Sequence, residues 1–412
     1  MNFKKHLPAF FVICNALSIS VSAQQSFKYD NTVYKAVYLN EAFRLMDSMR
    51  NYLLLDVRSP GEFADTARST FFNIGKIKGA VNINVDDIPA HLEELKKHSD
   101  QPIFVYCSHS QRSRRVSKLL GENGFQKVYN INGGMSLINE IDPGRFPYKN
   151  KVLESNTAYQ NIAPAEVIGL IKNEPGLVII DIRTEPEFNS RDTAVQNNIG
   201  RFKKAINIPQ NVFAEKIDSY KIPNSSPVLL YDLHGYNSMD VVNILRDKGF
   251  TKIYNLFEGL EAFIADHTIS SELRGGLLTG MHPYPLIDAE SAIDLLKQHP
   301  NTIVIDTRPS EEFNNKSLMT YRNMGRIKDA INIYSIELLN NFMDHNDKSA
   351  LILVYSGQSD TLGIRICDAL TKNGFQHVNF LNLGLYHFVW AMANIEDCKE
   401  GRSFLVDHEG LY

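Results

Sequence analysis

The chain lacks the marks of several common protein classes. Beyond residue 23 no stretch approaches eighteen uninterrupted apolar residues, so a mature chain starting there is expected to be soluble, without stable membrane insertion. Neither charge sign is in excess: 43 Lys and Arg stand against 47 Asp and Glu, a formal net charge of -4. Nucleic acid and anionic membranes are therefore unsupported as partners, because phosphate binding normally shows as a basic excess or stripe. Any anion site must be local. Cysteine is scarce, 4 in 412 residues, and no Cys-x-x-Cys pair occurs. A zinc knuckle or a thioredoxin-type redox pair is unsupported, and no metal or cofactor is expected.

What is present describes a folded protein of several units. Hydrophobic residues make up 43% and charged residues 22%, far from the composition of disorder. A length of 412 residues exceeds one ordinary core and suggests two to four domains of about 100–200 residues. The first 23 residues read as a secretory signal: Lys4 and Lys5, an apolar run from Leu7 to Val21, then Val21-Ser22-Ala23 before Gln24. Cleavage after Ala23 and a periplasmic or extracellular location are expected. The alternatives are a single anchoring helix, for which the run is short, and lipid attachment at Cys14, where Ile13 stands in place of the small residue such a site needs. With Cys14 removed, Cys107, Cys367 and Cys398 leave an odd thiol to explain in an oxidising compartment. A Cys367–Cys398 disulfide is not inferable from spacing.

Internal repetition is the strongest signal. Asp56-Val57-Arg58 with Glu62-Phe63 returns as Asp181-Ile182-Arg183 with Glu187-Phe188, then as Asp306-Thr307-Arg308 with Glu312-Phe313. The spacing is 125 residues both times, from Asp56 to Asp181 and from Asp181 to Asp306. Ala80-Val81-Asn82-Ile83, Gly124-Phe125 and Gly134 recur in the same register, which means tandem domains rather than a solenoid of short units. Apolar runs such as Leu53-Leu54-Leu55 and Ile103-Phe104-Val105-Tyr106 alternate with helical stretches such as Arg114 to Glu122. That alternation predicts βαβ units: three α/β domains, each a small, mostly parallel sheet flanked by helices. Residues 24–150, 151–275 and 276–412 are the expected units, with linkers near Pro143 to Asn156 and Ser271 to Pro285.

These residues resemble the rhodanese (thiosulfate sulfurtransferase) family. The matching elements are the Asp-x-Arg-x-x-x-Glu-Phe opening, the Gly-Ala-x-Asn-Ile segment, a strand ending in Cys107, and Asn132-Gly133-Gly134. All three copies depart from it in a longer segment, Phe63 to Ile74 in the first, without the histidine often found before the Gly-Ala turn. The family also often carries glycine where Ser110 stands.

In the first copy, Cys107-Ser108-His109-Ser110-Gln111-Arg112 follows a strand and precedes a helix. Curling backbone N–H groups, the helix dipole and Arg112 would together favour a thiolate and an incoming anion, and Arg114 and Arg115 would widen the positive field. The resemblance implies that Cys107 is the nucleophile, that the amides of Ser108, His109, Ser110, Gln111 and Arg112 are the anion cradle, and that Arg112 is the substrate-binding cation. His109 is expected to be an exposed loop residue, and Cys107 is expected to resist burial. Sulfur transfer through a Cys107 persulfide, from thiosulfate or a similar donor to a thiol or cyanide, is the function implied. A Cys-dependent phosphatase is the enzymatic alternative, but related phosphatases place five residues between cysteine and arginine, and here there are four. In the second copy Asp232 holds the nucleophile position, and Leu233 to Ser238 lacks the arginine. In the third copy Ser356 stands there, one register off, with no local base expected to activate it. The rival reading is a non-enzymatic binding or scaffold protein of the cell envelope, suggested by two copies having lost their cysteine.

Overall fold

The computed structural model describes residues 33–408. The secretory segment read at residues 1–23 lies outside them. Three five-stranded sheets follow one another, and every strand pair in them is parallel. In the first unit the spatial order is Lys35–Val37, Val128–Ile131, Ile103–Tyr106, Leu53–Asp56, Val81–Asn82. The second repeats it with Gln160–Ile162, Ile253–Leu256, Val228–Tyr231, Val178–Asp181 and Ile206–Asn207. The third repeats it again with Leu286–Ile287, His377–Leu381, Leu351–Tyr355, Ile303–Asp306 and Ile331–Asn332. Three tandem α/β units, as read from the sequence, are the fold.

The repeated landmarks are backbone devices. Arg58 donates to both oxygens of Asp56 and, through Nη2, to the carbonyl of Gly75 at 2.7 Å, all in the interior. Arg183 does the same with Asp181 and Gly200, and Arg308 with Asp306 and Gly325. A charge so deeply buried survives only when paired and hydrogen-bonded. The Asn82 carboxamide donates to the carbonyls of Asp56 and Arg58, tying the edge strand to the end of Leu53–Asp56. Each unit also closes with a short antiparallel pair, which in the first two units uses residues just past the expected ends at 150 and 275: Lys76–Ile77 with Leu153–Glu154, Arg201–Phe202 with Leu278–Thr279, and Arg326–Ile327 with Leu405–Val406.

Each unit touches both others. Apolar clusters run from the first unit into the third and from the second into the third. Lys149 pairs with Glu166 at 2.6 Å between units one and two, and Arg145 pairs with Glu290 at 2.6 Å between one and three. Between two and three, His267 sits 2.7 Å from Asp288 and 2.9 Å from Glu290, and these carboxylates raise its pKa to about 10. The long segment after Phe63 also serves these junctions. Thr70 donates to Asp240 at 2.5 Å, and the Phe71 ring meets Tyr236 edge-on at 4.4 Å. One repeat later, Gln196 accepts from Thr361 at 2.5 Å. Among the described residues no helix is long and apolar enough to cross a membrane.

Candidate active site

Strand Ile103–Tyr106 is buried along its whole length and delivers Cys107 to the carboxyl end of the sheet, where helix Gln111–Glu122 begins. In open parallel sheets this end is where ligands gather. The Asn132-Gly133-Gly134 segment packs directly against the loop. Met135 N–H donates to the Cys107 carbonyl at 2.9 Å and Ser136 N–H to the Ser108 carbonyl at 3.0 Å. Gly134 has φ +58°, and a Cβ there would stand 2.2 Å from the Cys107 carbonyl oxygen, so only glycine permits this approach.

The loop departs from expectation in several places. Cys107 is 1% exposed, because its strand is central and the 132–134 segment covers the turn; it does not resist burial. His109 is half-buried rather than exposed, its Nε2 lying 2.9 Å from the Ser136 hydroxyl. Burial, then the Arg112 charge, hold its pKa below the usual imidazole value. Arg114 does not widen the field: it is buried and spends Nη2 on Asn132, the Ala393 carbonyl and Asn394. Arg115 pairs with Asp86 at 2.7 Å. Gln111 opens the helix and is exposed.

Arg112 is held in a fork. Its two terminal nitrogens donate to the two oxygens of Glu62, each at 2.7 Å, and Nη2 also reaches the Ser108 hydroxyl at 3.0 Å. Glu62 is fixed in turn by the backbone and hydroxyl of Ser59, in the capping box of helix Pro60–Phe63. Burial opposes the Glu62 charge, but Arg112 and Ser59 outweigh it and hold the carboxyl below its usual range. The Glu-Phe pair of the repeat thus supplies the group that orients Arg112. Ser110 adopts φ +77°, a left-handed conformation that favours glycine. Gly235, at the same register in the second unit, also has φ +77°.

A family model for the rhodanese-like domain matches residues 39–140, 163–266 and 288–389. The chain belongs to the rhodanese-like family. An uncharacterized protein of Bacillus subtilis (strain 168), YqhL, is 33% identical over 109 residues, 26% of this chain and 75% of that protein. The tRNA uridine(34) hydroxylase of Salmonella arizonae is 31% identical over 77 residues, 18% of this chain but only 22% of the hydroxylase. Among solved structures, the thiosulfate sulfurtransferase from Pseudomonas aeruginosa aligns at 16% identity over 87% of this chain and 65% of that one, with a TM-score of 0.23.

The other two rhodanese-like loops are occupied by their own side chains. In the second, one Asp232 oxygen accepts the Gly235 N–H and the other accepts the Asn237 N–H, the latter at 2.7 Å. Burial raises its pKa, while those N–H groups pull the other way. His234, the counterpart of His109, lies 2.9 Å from Glu261. In the third, Ser356 donates to Asp360, which also accepts the Gly363 N–H at the start of helix Thr361–Lys372. The sequence suggests no local partner for Ser356, and the structure brings the Asp360 carboxylate to its hydroxyl. Cys367 and Cys398 are free, buried thiols rather than a disulfide, and burial pushes both well above the ordinary thiol range. Neither is suited to act as a nucleophile. Asp266, His267 and Asp288 cluster closely enough to hold a cation, but both ring nitrogens of His267 already face carboxylates.

Proposed function

We propose that this chain is an exported sulfurtransferase whose first unit carries sulfane sulfur on Cys107, with the second and third units non-catalytic. The Cys107 thiolate attacks the outer sulfur of thiosulfate or a similar donor. A Cys107 S–S bond forms, the donor's S–S bond breaks, and sulfite leaves with the electron pair. A thiol or cyanide acceptor then takes the outer sulfur and returns the thiolate. The observation that carries this reading is the pairing, in one loop, of Cys107 at a strand end with an Arg112 fork oriented by Glu62, with four residues between them. The short loop favours a sulfur anion over a phosphate ester. Export rests on residues 1–23, and small sulfur anions and thiols, not nucleic acid, are the partners proposed.

The test is intact-protein mass spectrometry of the reduced chain before and after thiosulfate. A gain of about 32 Da, one sulfur atom, is expected on the wild type and not on Cys107→Ser. One observation favours a second reading: Cys107 is buried and Arg112 is already paired with Glu62. A binding or scaffold protein of the cell envelope would show no mass gain and would hold a stable partner in pull-downs.

A further inference from the structure

We propose that Asn394, a residue of the third unit, is a positioning residue for the Cys107 loop, so that the site proposed above is composite across two units. Serine is ill-suited to the left-handed backbone that Ser110 adopts, and something must hold it there. Its hydroxyl accepts the Gly133 N–H at 2.6 Å and donates to Asn394 Oδ1 at 2.8 Å. The same Oδ1 accepts the Gly133 N–H at 3.0 Å and Arg114 Nη2 at 3.0 Å. Asn394 Nδ2 donates to the Trp390 carbonyl at 2.7 Å. Every group facing Oδ1 is a donor and the group facing Nδ2 is an acceptor, so the carboxamide has one consistent orientation. Ser110, Arg114 and Asn394 are all buried, so water does not replace these bonds.

The third unit's own loop shows the same device with a different acceptor. Ser359, three residues after Ser356 as Ser110 is three after Cys107, accepts the Leu383 N–H at 3.1 Å and donates to Glu261 of the second unit at 2.5 Å. In both cases the neighbouring unit supplies the acceptor for the loop serine. At the loop without a cysteine it is a carboxylate, and at the Cys107 loop it is neutral. A negative charge at position 394 would oppose both a thiolate and an anionic donor nearby. Asn394 therefore holds the loop without charging it.

The inference rests on Cys107 being a working thiol, and its test separates the two claims. In the full chain, the rate of Cys107 alkylation by iodoacetamide is followed by peptide mass spectrometry against pH, alongside sulfur uptake from thiosulfate. Asn394→Ala should slow both by about tenfold or more, as loop misplacement does. Asn394→Asp, nearly the same shape, should move the alkylation profile to the alkaline side, which a purely structural loss would not do. Ser110→Gly should abolish the dependence, leaving Ser110→Gly/Asn394→Ala within about twofold of Ser110→Gly alone, since glycine needs no support at φ +77°. Equal alkylation in wild type, Asn394→Ala and Asn394→Asp would overturn the inference, as would a double variant as impaired as Asn394→Ala. If alkylation follows this pattern while thiosulfate adds no mass to the wild type, the sulfurtransferase reading fails and the positioning role stands.

Discussion

At the same register, 125 residues apart, the central strand is followed by Cys107 in the first unit and by Asp232 in the second. The two loops turn with the same left-handed residue, Ser110 or Gly235, both at φ +77°. They differ in what fills the turn. The Asp232 carboxylate takes two N–H groups of its own loop, so the second unit carries a built-in anion where the first presents a thiol. The comparison teaches that the turn of the second unit holds a carboxylate on its own N–H groups, and the function proposed for the first unit asks the same turn to hold an exchangeable anion beside Cys107. The guanidinium follows the same division: Arg112 stands in the first loop, and Asn237 stands at its register in the second.

The largest expected effect transplants the thiol. In a Cys107→Ser background, Asp232→Cys should gain no mass from thiosulfate, because the second loop supplies no arginine. A gain of about 32 Da there would break the comparison by showing that a thiol in the turn suffices. Next in size is Asp232→Ala, which removes the acceptor of the buried Gly235 N–H and of the half-buried Asn237 N–H. A stability loss of about 2 kcal/mol is expected in urea titration, against a smaller loss for Cys107→Ala. Equal losses would mean that the carboxylate does not serve as the turn's resident anion.

A third effect concerns the Glu62–Arg112 fork. Glu62 is held below its ordinary value of 4.5, so the pair's stabilisation is present above that pH and is lost as acid titrates the folded carboxylate. Glu62→Gln should flatten part of the fall in stability as pH drops below 4.5, the part that the charged fork contributes. An unchanged acid limb would show that the fork contributes no net stability and acts only by aiming Arg112.

How much of this was legible follows from the kind of problem each residue solves. Asp-x-Arg, the glycine after it and Asn82 tie backbone to backbone within one unit, so they recur with the fold whether or not the loop is reactive. Their repetition made the three α/β domains readable, while the strand order within each sheet came only with the structure. Cys107, Asp232 and Ser356 were readable as the position where that register varies. Asn394 was not, since its bond to Ser110 spans 284 residues and carries no periodic signature. The burial of His109 and Arg114 likewise depends on groups brought in from elsewhere, Ser136 for one and the third unit for the other. Asp360 lies only four residues after Ser356, but its contact depends on how the longer third loop folds back. The extended segment after Phe63 had no local explanation because its partners, Tyr236 and Asp240, belong to the next unit.

The smallest and finest test compares the two loop histidines. Burial disfavours the charged form of both. At His109 the Arg112 charge adds to that penalty and the pKa falls below 6.5; at His234 Glu261, then Asp232, overcome it and the pKa rises above 6.5. His234 therefore contributes stability that is complete below pH 6.5 and fades as pH climbs through its raised value. His109 does the reverse, costing stability as pH falls from 6.5 through its lowered value. Imidazole proton shifts should resolve two titrations on opposite sides of 6.5, and Glu261→Gln should lower only the His234 one. Coincident titrations would mean that the loops are electrically alike. Separate ones leave Arg112 as the cation at Cys107 across neutral pH, so donor binding there should show no imidazole step, while in the second loop Glu261 and Asp232 favour the charged form of His234.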